Sequence, residues 1–365
     1  MHGRRNLQCV TGMPRIGIIA PTLEILGGQG IQANALIARL RNDGYDVSLI
    51  PINPQFPAGL GWVRRYPYLR TLLNQALFLP SLMKLRRIDV AHIFSASYWS
   101  FVLAPLPAIL AARSLGKRVI LNYRSGEADD HLAHWGKLIH PWLRLVDEIV
   151  VPSHYLHEVF KRHGYHARVI RNVVDLSRFQ YRQRKPLRPH LLSNRNFEPH
   201  YMVDCTLQAF TLVKARYPEA TLMVAGYGSE ERRLRELAAS FKTDGIKFVG
   251  RIEPESMPSL YGKADIYVNC SVIDNQPVSL LEAFASGIPV VSTGVGDIPF
   301  MMRHGETGSI VPQRDPEAMA KAIMLLLENP DHALSTALRA RQEVEMFTWP
   351  RVRQEWAMVY SGSKA

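Results

Sequence analysis

Short apolar runs alternate with longer mixed stretches along this chain, and the alternation occurs twice. Runs at Arg15–Ala20, Asp46–Ile52, Asp89–Phe94, Arg118–Asn122 and Val146–Pro152 have the length of buried strands. The stretches Ile31–Asn42, Phe101–Leu115 and from Ser153 to about His163 predict helices between or after them. In the second half, strands are predicted to end at Gly226 and over Ile246–Val249, Asp265–Asn269 and Ile288–Ser292. Helices are predicted over Asp204–Arg216, Glu230–Ser240, Ser256–Tyr261, Leu280–Ser286 and Pro316–Glu328, with a last one containing Trp349 to Tyr360. Strand–helix alternation repeated in this way predicts an α/β protein of two doubly wound, Rossmann-like domains facing across a cleft.

The densest chemistry lies between Ser271 and Gly296. A loop carrying Asp274 leads into a short helix, for which Ser279 is the expected N-cap and Gly287 the left-handed stop. The amino end of such a helix presents unpaired N–H groups and partial positive charge, which suits a phosphate or diphosphate. Asp274 and Glu282 flank that end, and two carboxylates beside an anion site suit a phosphorylated ligand rich in hydroxyls. A nucleotide sugar has that chemistry. The same residues also read as a capping box, in which Glu282 only returns a hydrogen bond to the Ser279 backbone, and Asp274 as a turn residue. These readings stay open on spacing alone.

Composition narrows the picture. The 365 residues, 47% hydrophobic, suffice for two cores, and an excess of positive charge of +12 implies an anionic partner. Three scattered cysteines, Cys9, Cys205 and Cys270, form neither a metal-ligand spacing nor a disulfide framework, which suits a reducing, cytoplasmic setting. Residues 1–14 are basic without an apolar core and read as a flexible tail, not a signal peptide. No run approaches the roughly 20 apolar residues of a membrane span. The basic residues follow no nucleic-acid-binding motif, so no nucleic-acid partner is expected. Between Pro54 and Arg87 there is no acid. Trp62, Tyr66, Tyr68, Leu69 and Leu72 alternate with Arg64, Arg65 and Arg70 there, as in a surface resting on anionic lipid. The Gly-rich loop after the first strand, with Gly27 and Gly28, matches neither a P-loop nor G-x-G-x-x-G.

The stretch from Asp274 through Glu282, Ala283, Gly287, Pro289-Val290-Val291 and Gly294-Val295-Gly296 resembles the donor-site signature of the family-four glycosyltransferases, which have the GT-B fold. Gly305-Glu306-Thr307-Gly308 is similar to the segment that follows in that family. Asp274 stands where the family has the first of two glutamates. The run of Lys and Arg from Lys161 to Arg188, interrupted by Pro186, reads as holding a basic linker (173–187). Beside it and the tail (1–14), the resemblance implies an acceptor-side domain (15–172), a donor domain (188–345) and a final segment (346–365) crossing back to the first domain. It also implies that Gly27 and Gly28 lie near donor phosphates and acceptor. Arg195 takes the place of the family's diphosphate arginine, and His200 that of its lysine. Arg251 and Ile252 follow the strand whose loop meets the nucleobase. Arg124 stands where a histidine near the reacting sugar is common, with His131 a turn further on.

Together these readings predict a retaining, metal-independent glycosyltransferase that needs no cofactor beyond its nucleotide-sugar substrate. Glu282 would hold the ribose and Asp274 the sugar hydroxyls. Arg195 and the backbone of Asn275, Gln276, Val278 and Ser279 would meet the leaving diphosphate, with Arg124 on the acceptor side. The acceptor itself is undetermined; the basic apolar segment points to a glycolipid or an envelope or secreted polysaccharide, made at the inner face of a membrane. A silent nucleotide-sugar binder, suggested by Asp274, Arg124 and His200, and a nucleotide-sugar epimerase are the alternatives.

Overall fold

The computed structural model describes residues 13–22 and 28–362. Gly27, Cys9 and most of the expected tail lie outside them. The chain divides into two units, and each contains one parallel six-stranded sheet.

The first unit takes the residues up to Val151, then Val159–Ile170, and those from Gln354 onward. Its strands are β1 (Ile16–Ala20), β2 (Val47–Pro51), β3 (Val90–Ser95), β4 (Arg118–Tyr123), β5 (Glu148–Val151) and β6 (Arg168–Val169), in the order β2-β1-β3-β4-β5-β6. β1 and β3 are buried along their whole length; β1 reads as an unbroken apolar run, whereas β3 also buries His92 and Ser95. The order reverses between β1 and β3, and ligands of open α/β sheets bind at the carboxyl ends of the strands flanking such a switch. The expected helix over Phe101–Leu115 is two helices, Trp99–Leu103 and Pro105–Ser114; Ala104 leaves helical geometry because it precedes a proline. Pro54–Arg87 is more regular than its sequence suggests, since it holds a helix over Pro67–Ser81 between two tight turns. The last helix, Trp349–Ser361, brings Tyr360 to the β3 residue His92, 2.8 Å from hydroxyl to Nδ1.

The second unit comprises Pro152–Glu158 and Arg171–Arg353. Its strands are β7 (His190–Ser193), β8 (Thr221–Ala225), β9 (Ile246–Gly250), β10 (Ile266–Asn269), β11 (Val290–Thr293) and β12 (Ser309–Val311), in the order β12-β11-β10-β7-β8-β9. Here the switch lies between β7 and β10. One face packs on Phe210, Met319 and Ile323, the other on Tyr261, Leu281 and Phe284.

The expected linker, 173–187, is instead packed into this unit. Val174 and Phe179 are buried, and Arg184 is fully enclosed. Its guanidinium donates to the carbonyls of Tyr261 (3.2 Å), Ala264 (3.3 Å) and Ser286. Those carbonyls lie at the carboxyl ends of two helices, where a cation is favoured. The basic residues that suggested a solvated connector are thus partly a buried clamp. The final segment also joins the first unit later than expected, from Gln354 rather than residue 346.

Candidate functional site

The loops after β7 and β10 meet at the switch of the second unit. β7 runs into Asn194 and Arg195, and β10 into Ser271 and Asp274. Arg195 Nη2 donates to Asp274 Oδ2 at 2.6 Å, and Nη1 donates to Ser279 Oγ at 2.9 Å. Both charged side chains are more than nine-tenths buried. The guanidinium carbon lies 4.2 Å from the centre of the Tyr201 ring. Burial works most strongly against the arginine's charge, but Asp274 together with Tyr201, Tyr267 and Tyr261 outweighs it and holds the guanidinium protonated. Three neighbouring buried atoms, Arg195 Nε, Asn194 Oδ1 and Tyr267 Oη, have no partner. Orphaned polar atoms cost about 1–3 kcal/mol each, so this part of the buried site is left with unmet hydrogen-bonding capacity.

The helix that follows begins two residues earlier than expected and runs Val278–Ala285. Its N-cap is Pro277, with no side-chain cap. Ser279 is therefore not the cap; its hydroxyl accepts from Arg195, and the capping-box reading of Ser279 and Glu282 fails. Gly287 does supply the left-handed stop, with φ of 70°. Ile288 N–H returns to Ala283 O and Gly287 N–H to Phe284 O, at 3.0 Å each. That pairing is a Schellman closure. Glu282 faces Tyr261, whose hydroxyl donates to Ser279 O (2.9 Å) and accepts from Asn194 Nδ2 (2.8 Å). Burial raises the Glu282 carboxyl to about 7, with Tyr261 and Arg178 drawing it back.

The Asp274 loop is braced from behind. Gln276 accepts from Asn172 N–H at 2.6 Å and donates to Asp297 Oδ2 at 3.1 Å, so its side chain is committed to the scaffold. Asp297 accepts from the backbone N–H of His154 (2.9 Å) and Tyr155 (3.3 Å). Gly296, at φ of 56°, allows the closest approach, because a Cβ there would lie 1.7 Å from Asp274 O. His200 joins the site through its carbonyl, which accepts from Val272 N–H at 2.9 Å, and its ring lies 4.2 Å from that of Tyr201. Arg251 and Ile252 sit further along the same edge, beyond β9. Arg251 pairs with Glu253 at 3.1 Å, and Ile252 packs on the core. Tyr201, Tyr261 and Asp297 were not anticipated; only Asp297, directly after the Gly-rich turn, carried a local signal.

In the first unit, Arg124 follows β4 with its guanidinium carbon 5.4 Å from the centre of the Phe94 ring and Nη1 3.3 Å from Asn122 Oδ1. Burial lowers its pKa to about 10, which leaves it charged at neutral pH. Asp129 binds Arg162 and His163, while Asp130 binds Tyr98 and His134. Gly28 opens the helix Gly28–Asn42 rather than sitting in the loop. Among the described residues, no group of three or more His, Cys, Asp or Glu side chains is placed to hold a metal ion. No helix among them is long and apolar enough to cross a membrane. Trp62, Tyr66, Leu69 and Leu72 are exposed, and Tyr68 is 92% so, beside exposed Arg64, Arg65 and Arg70.

Comparison with known proteins gives concordant matches. The sequence profile of Glycosyltransferase Family 4 matches residues 26–178, and that of Glycosyl transferases group 1 matches residues 188–329. Glycogen synthase of Mycobacterium tuberculosis (strain H37Rv) is 27% identical over 294 residues, 76% of this chain and 70% of that one. A phosphatidyl-myo-inositol mannosyltransferase of Mycolicibacterium smegmatis is 23% identical over 370 residues, 95% of this chain and 93% of that one. Among solved structures, sucrose-phosphate synthase of Thermosynechococcus elongatus superposes with a TM-score of 0.75 at 19% identity, covering 96% of this chain and 98% of that one. Anabaena HepE, solved with UDP-glucose, gives 0.74 at 15% identity, covering 96% and 100%. Both share the fold.

Proposed function

We propose that this chain, which belongs to the family-four, group 1 glycosyltransferases, transfers a sugar from a nucleotide diphosphate to an acceptor with retention of configuration. The observation that carries this reading is the buried Arg195, fixed between Asp274 and Ser279 at the first turn of the Val278–Ala285 helix. Arg195 and the first-turn N–H groups of that helix receive the diphosphate, and their donors are oriented before charge develops on the leaving group. Asp274 accepts from sugar hydroxyls and Glu282 from the ribose. The bond from the anomeric carbon to the phosphate oxygen breaks, and the acceptor oxygen joins the same face. The acceptor's proton passes to the departing phosphate. No cofactor and no metal enter this scheme.

The exposed basic apolar patch supports a second element of the reading, contact with an anionic membrane surface on the cytoplasmic side. A glycolipid or a polysaccharide intermediate is then the fitting acceptor. A silent nucleotide-sugar binder is the competing reading, favoured by Arg124, which lies over Phe94 in the place of the family's histidine.

The test is a thermal-shift screen with UDP-, GDP- and ADP-sugars, followed by an assay for sugar release or transfer. A specific donor at 100 times its dissociation constant adds about 2.7 kcal/mol of stability. Binding without turnover would favour the silent binder. Stabilisation by none of the nucleotide sugars would remove the donor site from the Arg195–Asp274 pair.

A further inference from the structure

At the carboxyl ends of β3 and β4, a group of aromatic side chains has no part in the donor chemistry. Tyr98 and Trp99 follow β3, and Trp135 lies beyond the helix Ala128–His134 that follows β4. Tyr98 holds φ of 56° and ψ of −133°, a backbone conformation costly for a side chain of its size. Its hydroxyl donates to Asp130 Oδ2 at 2.6 Å, which fixes the ring. Trp99 is 66% exposed, and Trp135 braces it edge-on at 5.4 Å between ring centres. Beneath them His131 is fully buried. Its Nδ1 lies 2.8 Å from the Tyr123 hydroxyl, which lies 2.8 Å from Ser97 Oγ, while Nε2 on the opposite ring edge has no partner. The His131 ring sits 5.2 Å from Tyr98 and 6.1 Å from Trp135.

We propose that Tyr98, Trp99 and Trp135 form a platform for a neutral pyranose ring of the acceptor. Two features choose this occupant. A flat, exposed indole beside a strained, anchored tyrosine matches the C–H face of a sugar, as aromatic rings pair an apolar body with polar surroundings. The rim is acidic: Glu127 is exposed, and Asp130 beside His134 is more than half exposed. Carboxylates repel phosphate and acidic headgroups but accept hydrogen bonds from sugar hydroxyls. The buried Ser97–Tyr123–His131 chain holds the platform from below. The inference rests on the transferase reading, because it takes the acceptor to dock on the first unit, and it narrows the acceptor to one that already carries a sugar.

The experiment uses the full chain with its indole groups labelled with nitrogen-15. Methyl α-glucopyranoside, methyl α-mannopyranoside and methyl α-galactopyranoside are titrated in turn, with glycerol phosphate as the anionic control. Saturable movement of the Trp99 and Trp135 signals is expected with at least one glycoside and not with glycerol phosphate. Trp99→Ala should weaken that binding about tenfold, and Trp99→Phe should keep most of it. Because Trp99 is mostly exposed, both variants should melt as wild type does. No glycoside moving the Trp99 signal, a response to glycerol phosphate alone, or unchanged affinity in Trp99→Ala each overturns the platform. UDP-, GDP- and ADP-sugars are titrated separately. Glycoside binding without any nucleotide-sugar binding would sink the transferase reading and leave the platform standing.

Discussion

At the carboxyl edge of the second sheet, a buried arginine and a buried carboxylate lie 2.6 Å apart, with a second carboxyl poised near neutrality. The same edge of the first sheet carries aromatic rings, one desolvated arginine, and a histidine that burial keeps neutral by lowering its pKa to about 4. Both edges flank topological switches, so the backbone offers the same opportunity twice. The side chains use it differently. A leaving diphosphate requires fixed charge, held despite burial by partners such as Asp274 and Tyr201. In the proposed reading an acceptor requires shape and position, which the rings supply.

The largest break in this contrast should come from Arg195→Ala. It removes the preorganised cation, and single-turnover transfer should fall on the order of 10²–10³. A rate close to wild type would mean that the charged edge is structural only.

Charge reversal of Arg64, Arg65 and Arg70 probes the first unit's outer surface. At about 1 kcal/mol per basic residue, partition onto acidic vesicles should drop on the order of 10². Added salt should mimic the effect on wild type. Unaltered vesicle binding would rule out this patch as a membrane contact.

Glu282→Gln sharpens the donor side, because function and stability should move in opposite directions. Loss of a charged acceptor should weaken binding of the nucleotide sugar that stabilises the wild type by roughly 10- to 150-fold. The folded Glu282 carboxyl sits at about 7 against 4.5 for the ordinary group, so the folded state binds its proton more tightly. Its contribution to stability is therefore fully present below pH 4.5 and is lost as pH rises through about 7. The rise corresponds to on the order of 3 kcal/mol. Glu282→Gln, which never ionises, should melt higher than wild type at pH 8 and like it at pH 4. Wild-type affinity for that nucleotide sugar should also increase from pH 6 to 8. A variant that melts lower at pH 8 and binds donor normally would place Glu282 among structural residues.

The smallest effect expected is at Arg124. Arg124→Ala should lower turnover about tenfold with little change in donor affinity, and Arg124→His should recover much of it. Equal losses in turnover and donor affinity would instead make Arg124 part of donor binding and weaken the contrast.

Much of the architecture was written in local pattern. Parallel strands buried on both faces are mostly apolar runs, so most strands could be read within a residue or two, even where His92 in β3 or Asn122 in β4 interrupts the run. Gly287 was legible as a helix stop because left-handed backbone favours glycine. Asp274 and Glu282 were legible as a pair from their spacing about the helix start, but Arg195 joined them only through the family resemblance, since 79 residues separate it from Asp274. Spacing misled at Ser279, where the expected cap hydroxyl serves Arg195 and the helix starts earlier at Pro277. The charge run at 173–187 misled in the same way, because burial against helix carbonyls at Arg184 leaves no mark in the sequence itself. Only the tertiary structure set Tyr201 against Arg195, Tyr261 beside Glu282 and Tyr98 over His131. Periodicity and propensity report what each residue prefers beside its chain neighbours. Desolvation, ion pairing and ring packing depend on segments brought together by the folded sheet.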